Sequence, residues 1–365
     1  MTPDEAAAHI EKYTTKLPAL KRFKFRIHSL LDGLIFDKDL KVASIESRVK
    51  GVGSFSEKIT RLGKDYIDPI AEITDLVGLR VVVYQLSDID RVGEIIRSNF
   101  QIDEDHSINK SEDLEVDRFG YLSVHYVFSL DESRAKLPEY SGLRNIRGEI
   151  QIRTVLQHAW AAIDHKLRYK SDKDIPTKHK RHLYRISALL EAADESFEIL
   201  TSDLAESIGE YKESVKGGNL KLPLDLDSIT TYFNEAPIPL ALVKTAENAH
   251  IVVAPHSPNS KQQEFSRLLK HATEDLGAKD IESLNKLVES AIPSAKAFFE
   301  TLEKEWRKAI ADKQVKLVLP KEMIFLSVFY LASYRNKLPT ENLPQLGRLS
   351  KAFTSALAEA AKEQK

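Results

Sequence analysis

The sequence predicts an α+β protein: a mixed β-sheet flanked by helices, followed by a mainly α-helical C-terminal domain. Three observations carry this. Residues 119–126 (Phe-Gly-Tyr-Leu-Ser-Val-His-Tyr) and 149–154 (Glu-Ile-Gln-Ile-Arg-Thr) alternate polar with apolar side chains, as a strand with two unlike faces must. Apolar residues at helical spacing, such as Ile89, Val92, Ile95 and Ile96, separate the strand-like runs. A long apolar stripe then follows Pro176 up to Gly217-Gly218, and most of the chain beyond it is helical in pattern.

Taken in order, residues 3–37 read as two helices broken near Leu17-Pro18, with Thr2 as N-cap and Pro3 in the first turn. Residues 42–50 alternate as a strand that puts Ser44, Glu46, Arg48 and Lys50 on one face. Gly51–Gly53 reads as a turn and 54–61 as a short helix. A buried strand spans 79–84, entered through Asp75 and Gly78, and a helix spans 88–99. A polar, acidic loop at about 103–118 leads to the Gly-Tyr strand, and a loop with Pro138 leads to the strand at 149–154. Thr154 is placed to cap a helix running to about Lys170, with Val155, Ala159, Ala162 and Ile163 inward. The stripe after Pro176 comprises Leu183, Ile186, Leu190, Ala193, Phe197, Leu200, Leu204, Ile208 and Tyr211. Two domains follow, 1–216 (core motifs 40–175, long helix 177–215) and 219–365. The second holds a short β-prone piece at 250–254 and helices at 260–276, 280–292, 294–311 and 321–337.

Composition narrows the function classes. At 365 residues two domains are a fair expectation. A net charge of −2 with 30% charged residues argues against a globally basic nucleic-acid binder. With no cysteine there are no disulfides, no thiolate zinc sites and no cysteine nucleophile. The N-terminus reads as a capped helix and not a signal peptide. The most apolar stretch, around 323–334, falls short of the ~20 residues that span a bilayer. The expectation is a soluble, cytoplasmic protein without a membrane partner.

On the strand at 149–154, Glu149, Gln151 and Arg153 face one way and Ile150 and Ile152 the other. Tyr121, Ser123 and His125 share a face of the preceding strand. A carboxylate, an amide, a guanidinium, an imidazole and a phenol are costly to bury in a core, so one polar sheet face reads as a reaction site. Arg48 and Lys50, followed by Ser54 and Lys58, set cations where a polyphosphate would sit, though taken alone they read more readily as a solvated edge strand with surface charges. Asp75 is either a turn cap or, together with Glu149, a magnesium carboxylate, since magnesium takes one or two acids plus phosphates. Tyr121 after Gly120 is either a stacking platform or a half-buried aromatic. His158 and His165 lie seven apart on one helix, the wrong spacing for a zinc pair, so no zinc is expected.

In this order the motifs resemble the synthetase domain of the RelA/SpoT family. They are Ser-Arg-Val-Lys-Gly from 47 with Ser54 and Lys58, Asp-Leu-Val-Gly-Leu-Arg from 75, Gly-Tyr-Leu-Ser-Val-His from 120, Glu-Ile-Gln-Ile-Arg-Thr from 149 and His-Lys-Leu-Arg-Tyr-Lys from 165. The resemblance covers about 40–175 and is nearest the small, single-domain members. It implies a nucleotidyltransferase-like fold that moves pyrophosphate from ATP to the ribose 3′-hydroxyl of GDP or GTP, giving guanosine alarmones with Mg2+. By the same resemblance Arg48 and Arg80 sandwich adenine, and Lys50, Ser54 and Lys58 contact phosphates. Asp75 and Glu149 hold the metal, with Glu149 also the base. Tyr121 stacks on the acceptor base, and Gln151, Arg153, His125, His158 and Lys166 line the site.

The chain departs from the family where Asp117-Arg118-Phe119 replaces a frequent Lys-Pro-Asn, leaving Arg118 to stand in for a phosphate-binding lysine, and where Leu122 occupies a commonly polar position. These touch the acceptor more than the donor. The alternative acceptor is the 3′ end of tRNA, as in toxin-type relatives, with the C-terminal domain regulating or neutralising the activity. The basic stretches 21–26 and 178–182 suit RNA phosphates or simply solvated helix faces. The His…His-Asp pattern of the family's hydrolase half is lacking, so no alarmone hydrolysis is expected. The helices suggest a homo-oligomer.

Overall fold

The computed structural model describes residues 2–61, 66–109, 123–169, 177–254, 277–309 and 316–335, together with 267, 269–271, 273–274, 355–356 and 358–360. They form two compact units, Met1–Thr201 and Ser202–Lys365.

The first unit opens with α1 (Pro3–Phe36), whose Thr2 and Glu5 form a reciprocal capping box. It is one helix and not two. Pro18 lies inside it and removes one backbone donor, a defect of about 3 kcal/mol. The helix runs through because Ala6, Tyr13, Leu20, Phe23, Ile27, Leu31 and Ile35 are buried on both sides of the proline, and each large apolar side chain so buried contributes about 1.5–3 kcal/mol. Next come β1 (Val42–Val49), α2 (Val52–Ile59, capped by Gly51), a short α3 (Pro69–Glu72), a 3-10 turn (Thr74–Leu76), β2 (Val77–Val83) and α4 (Leu86–Asn99). The acidic stretch read as a loop begins with a strand, β3 (Gln101–Asn109): an edge strand needs only one neighbour, and β4 (Val124–Ser129) supplies it. The chain continues through α5 (Glu132–Ala135), β5 (Gly148–Thr154), α6 (Val155–Tyr169) and α7 (Thr177–Lys216).

The strands form one mixed sheet, β1-β2-β5-β4-β3, in which β2 and β5 are parallel and the other pairs antiparallel. Register rather than proximity in sequence assembles its two faces. One transverse row runs Arg48–Gly78–Glu149–Val127 and the next Glu46–Arg80–Gln151–His125, so the functional residues share a face. On the opposite face, Ile45–Val81–Ile152–Val124 and Ser47–Leu79–Ile150–Tyr126 meet the buried stripe of α1 and Ile89, Val92, Ile95 and Ile96 of α4 in one core. Gly148 opens β5 because a Cβ there would lie 2.9 Å from the Phe128 ring and 3.1 Å from the Val77 carbonyl oxygen.

Two readings of helix faces change. In α6, Val155 and Ile163 are exposed, as are Ala159 and Ala162; Gln157 and Trp160 are the buried residues. The Thr154 cap fixes the rotation: Gln157 N donates to Thr154 Oγ1 (3.1 Å), Thr154 N donates to Gln157 Oε1 (2.9 Å), and Thr154 Oγ1 donates to the buried Asp194 of α7 (2.7 Å). In α7, Ser187 and Asp194 face inward, while Ile186, Phe197, Leu200 and Leu204 of the predicted stripe are exposed.

The second unit contains α8 (Leu226–Glu235), α9 (Pro237–Asn248), β6 (Val252–Ala254), α10 (Ile281–Ala309), β7 (Val318–Pro320) and α11 (Lys321–Arg335). α7 ends in this unit, closed by Gly217 and Gly218, the latter at φ 79°. α8, α9 and β7 come without a sequence signal. α10 is a single helix through Pro293, continuous for the same reason as α1: Ala291, Ser294, Ala295, Phe298 and Phe299 are buried around it. α11 is buried nearly all round, as its composition predicts. The 260–276 helix lies mostly outside the described residues. Among the described residues no helix is long and apolar enough to cross a membrane.

Candidate active site

The site is built on the polar face of the β1-β2-β5-β4 rows. Lys50 follows β1 directly, and its backbone is held at both ends: its N–H donates to Leu76 O (2.9 Å), and its carbonyl accepts from the hydroxyl of fully buried Tyr13 (2.5 Å). Tyr13 in turn stacks on Phe55 of α2, with ring centroids 4.1 Å apart. That contact ties α2, and so Lys58, to the same frame. From these two anchors Lys50 Nζ donates to Asp75 Oδ2 (2.7 Å) and Lys58 Nζ to Asp75 Oδ1 (2.9 Å). Burial alone would raise the Asp75 carboxyl; the hydrogen bonds and charges of the two lysines outweigh it and hold the group below the ordinary carboxylate range. Burial beside the Asp75 charge pushes the Tyr13 phenol up to about 12, so it stays a donor.

Across β2, Glu149 is the second carboxylate. His125 Nδ1 donates to its Oε1 at 2.5 Å and Gln151 Nε2 donates to the same oxygen at 3.1 Å. Burial would raise this carboxyl too; the imidazole and amide outweigh burial and hold it low, against an upward push from the Asp75 charge. The two acids therefore feel each other's field. His125 Nε2 lies 2.7 Å from Ser123 Oγ, so a hydroxyl, an imidazole and a carboxylate run in series. Both contacts of Glu149 fall on Oε1.

The arginines are less satisfied. Arg80 Nη1 donates to Glu46 Oε2 (3.1 Å), but its Nε is buried without a partner. Arg153 Nε is buried and unpartnered as well, and burial together with the neighbouring Arg80 charge lowers the Arg153 pKa. Two guanidiniums that repel each other in a half-buried place, with donors unspent, suit an anion between them. Arg48 lies over Gly78, where an added Cβ would meet its side chain at 3.8 Å.

The structure thus brings Lys50 and Lys58 onto Asp75, and His125 and Gln151 onto Glu149, by direct contact; the two acids, and Arg80 with Arg153, are related through charge. Ser54 is exposed on α2 and Lys166 exposed on α6. His158 is half-buried, its Nδ1 without a partner. Tyr121 and Arg118 lie outside the described residues. Glu46 as the partner of Arg80 and Tyr13 as the brace of Lys50 were not assigned roles from sequence. The Glu46 signal was its place beside Arg48 in an alternating strand; Tyr13, 37 residues from Lys50, carries no local signal.

Among the described residues no group of three or more His, Cys, Asp or Glu forms a metal cage. Two carboxylates held ionised, Asp75 by its lysines and Glu149 by His125 and Gln151, fit magnesium, a hard cation that takes one or two acids together with water and phosphate oxygens.

Residues 47–174 match the model of the region found in RelA/SpoT proteins. The chain is 30% identical over 185 residues to GTP pyrophosphokinase YjbM of Bacillus subtilis, across 50% of this chain and 82% of that protein. It is 29% identical over 154 residues to GTP pyrophosphokinase YwaC of the same organism, across 41% and 69%. Among solved structures, small alarmone synthetase 1 from Bacillus subtilis aligns with 28% identity and a TM-score of 0.46, covering 54% of this chain and 99% of that one. By class the protein is a pyrophosphotransferase enzyme. By descent, the chain belongs to the RelA/SpoT family.

Proposed function

We propose that the protein transfers pyrophosphate from ATP to the ribose 3′-hydroxyl of GDP or GTP, in a magnesium-dependent reaction that yields guanosine tetra- or pentaphosphate. The observation that carries this reading is the pair of ionised carboxylates, Asp75 between two lysines and Glu149 between an imidazole and an amide, on neighbouring elements of one sheet face. The relatedness to YjbM, a GTP pyrophosphokinase by name, supports the substrate class.

In this reading Arg48 and Arg80 hold adenine, and Lys50, Lys58 and Ser54 hold the triphosphate. Asp75 and Glu149 would hold Mg2+, which when bound screens phosphate charge and polarises the phosphorus attacked. Glu149 takes the proton of the acceptor hydroxyl. The 3′-oxygen forms a bond to the β-phosphorus, the bond from that phosphorus to the α–β bridging oxygen breaks, and AMP leaves with the electron pair. Since Oε1 of Glu149 is occupied by His125 and Gln151, those two residues orient the carboxylate and leave Oε2 to work. Arg153 supplies positive charge to the phosphates in flight, the kind of positioning and neutralisation phosphoryl-type transfer asks of a protein. Tyr121 carries the acceptor base, with Arg118, His158 and Lys166 around it.

Incubating the protein with ATP labelled in the β- or γ-phosphate and GDP, GTP or deacylated tRNA tests this. Label on the guanine nucleotides is expected; label confined to the tRNA 3′ end overturns the acceptor. No hydrolysis of the product is expected, and release of pyrophosphate from purified alarmone contradicts that.

A further inference from the structure

We propose, on the reading that Arg48 and Arg80 enclose the donor's adenine, that Glu46 is a positioning residue of the ATP site. It holds the Arg80 guanidinium in place and balances its charge, so that Arg80 offers its flat face to the base and not its edge to phosphate. Strand geometry supplies the slot. Arg48 lies across Gly78, which has no side chain to hold it off, and Arg80 stands two residues further along the same face of β2. Two residues of strand advance roughly 6.6 Å, and a planar ring between two flat groups at ordinary carbon contact needs roughly 7 Å. A slot that narrow takes one ring, and only while the Arg80 group keeps its plane.

Little else fixes that plane. Among the described residues Arg80 makes one hydrogen bond, from Nη1 to Glu46 Oε2 at 3.1 Å, while its Nε is buried with no partner. The register sets Glu46 directly opposite Arg80, on the same face of β1 as Arg48. Arginine meets rings with its face and phosphate with its edge, where paired N–H groups reach two oxygens. A carboxylate on Nη1 takes up the edge and leaves the face. Arg153 has the opposite setting: it feels Glu149 only as a charge and keeps a buried Nε without a partner. One guanidinium is thereby prepared for a base and the other for phosphate. With its side chain 49% exposed, Glu46 would ordinarily form a surface ion pair of little consequence. What sets it apart is that Arg80 is only 28% exposed and lines the site.

Calorimetric titration of the full chain with two probes separates base from phosphate: ATP with a methylene α–β bridge, and inorganic tripolyphosphate, which has no base. The wild-type protein should bind the first more tightly. Glu46→Ala should cut that advantage about 5-fold, the upper range for a partly exposed ion pair, by weakening the ATP analogue while tripolyphosphate binding holds or tightens. Glu46→Gln, whose amide oxygen still accepts from Nη1, should recover most of it. In the label-transfer assay KM for ATP should follow the same order, with kcat moving less. In an Arg80→Met background Glu46→Ala should change nothing further, since Glu46 acts through Arg80. An unchanged advantage in Glu46→Ala, equal weakening of both probes, or additive losses in the double variant overturns the role of Glu46 and leaves the donor reading intact. Equal binding of both probes by the wild-type protein overturns the adenine slot itself, and the role of Glu46 with it.

Discussion

Among the described residues the two units put their polar side chains to different uses. In the second unit, polar side chains are spent on local structure: Asp225 caps α8 through Ser228 N and accepts from Tyr211, Asp280 caps α10 through Ser283 N, and Tyr232 donates to Asn285. The indole N–H of Trp306 is left over there, and Glu322 is a buried acid of the same unit. In the first unit the sheet gathers Lys50, Lys58, Arg80 and Arg153 against Asp75, Glu149 and Glu46, and two of the guanidiniums keep a buried Nε unpaired. A core of hydrocarbon under the same sheet holds that unfavourable arrangement in place. Within the sheet, chemical capacity sits where charge is left incompletely neutralised.

The strongest way to break this contrast is to remove the working charge without changing shape. Glu149→Gln keeps the volume and loses the base and a metal oxygen. A fall in kcat of about 10²–10⁴ is expected, with a modest fall in melting temperature as His125 and Gln151 lose their charged partner, measured by label transfer and calorimetry. Asp75→Asn should fall in the same range and need more magnesium for half-maximal rate. Full activity in either variant would mean that the charged face is not the reaction site.

Next in size is Arg153→Met, which fills the same space without the guanidinium. It relieves the repulsion with Arg80, so stability should hold or rise while kcat drops by about 10²–10³, the range for losing one charge-stabilising donor. Opposite signs for stability and rate in one variant are what the contrast demands. A loss of both would make Arg153 a structural residue.

His125 sharpens the comparison inside the site. His125→Ala should lower kcat by roughly 10- to 150-fold with a smaller change in KM, since one net hydrogen bond to a charged group is worth about 1.5–3 kcal/mol. His125→Asn can still present an N–H near the Nδ1 position and should recover part of the rate. Equal loss in both variants would separate His125 from the orientation of Glu149.

Much of this was legible before any coordinates. Period-two alternation located β1 and β5 and the face of each, since a strand's side-chain direction is fixed by counting. Neighbourhood was not legible: that Arg80 stands opposite Gln151, or that Tyr13 reaches the Lys50 carbonyl, depends on strand register and on a helix packed 37 residues away in sequence. Proline misled twice, at 18 and 293, because its local penalty is visible in sequence while the burial that outweighs it is tertiary. The inward face of α6 was misread because a cap, not the apolar pattern, sets its rotation. α7 is the converse case: its apolar pattern was plain, yet Ile186, Phe197, Leu200 and Leu204 of that pattern are exposed among the described residues.

Tyr13→Phe probes the frame behind the lysines. It keeps the ring stacked on Phe55 but leaves the Lys50 carbonyl without its donor, which should cost about 1–3 kcal/mol in chemical denaturation.

The smallest effect lies in acid. Burial works to raise the Asp75 carboxyl, and Lys50 and Lys58 more than reverse it, so the folded group binds its proton at lower pH than the unfolded chain does. A depressed folded value means the stabilisation is fully present above the ordinary carboxylate pKa and is lost as pH falls through the folded value. Glu149 has the same sign, from His125 and Gln151, and Asp103 and Asp131 add theirs from surface partners. Melting temperature measured stepwise from neutral pH into acid should therefore fall below the carboxylate range in the native protein. Asp75→Asn starts lower at neutral pH because its lysines lose their partner, yet declines less steeply, with Glu149, Asp103 and Asp131 still titrating. Parallel acid limbs for the two proteins would show that the lysine pair does not hold Asp75 ionised, and with it the charge asymmetry between the two units would lose its sharpest example.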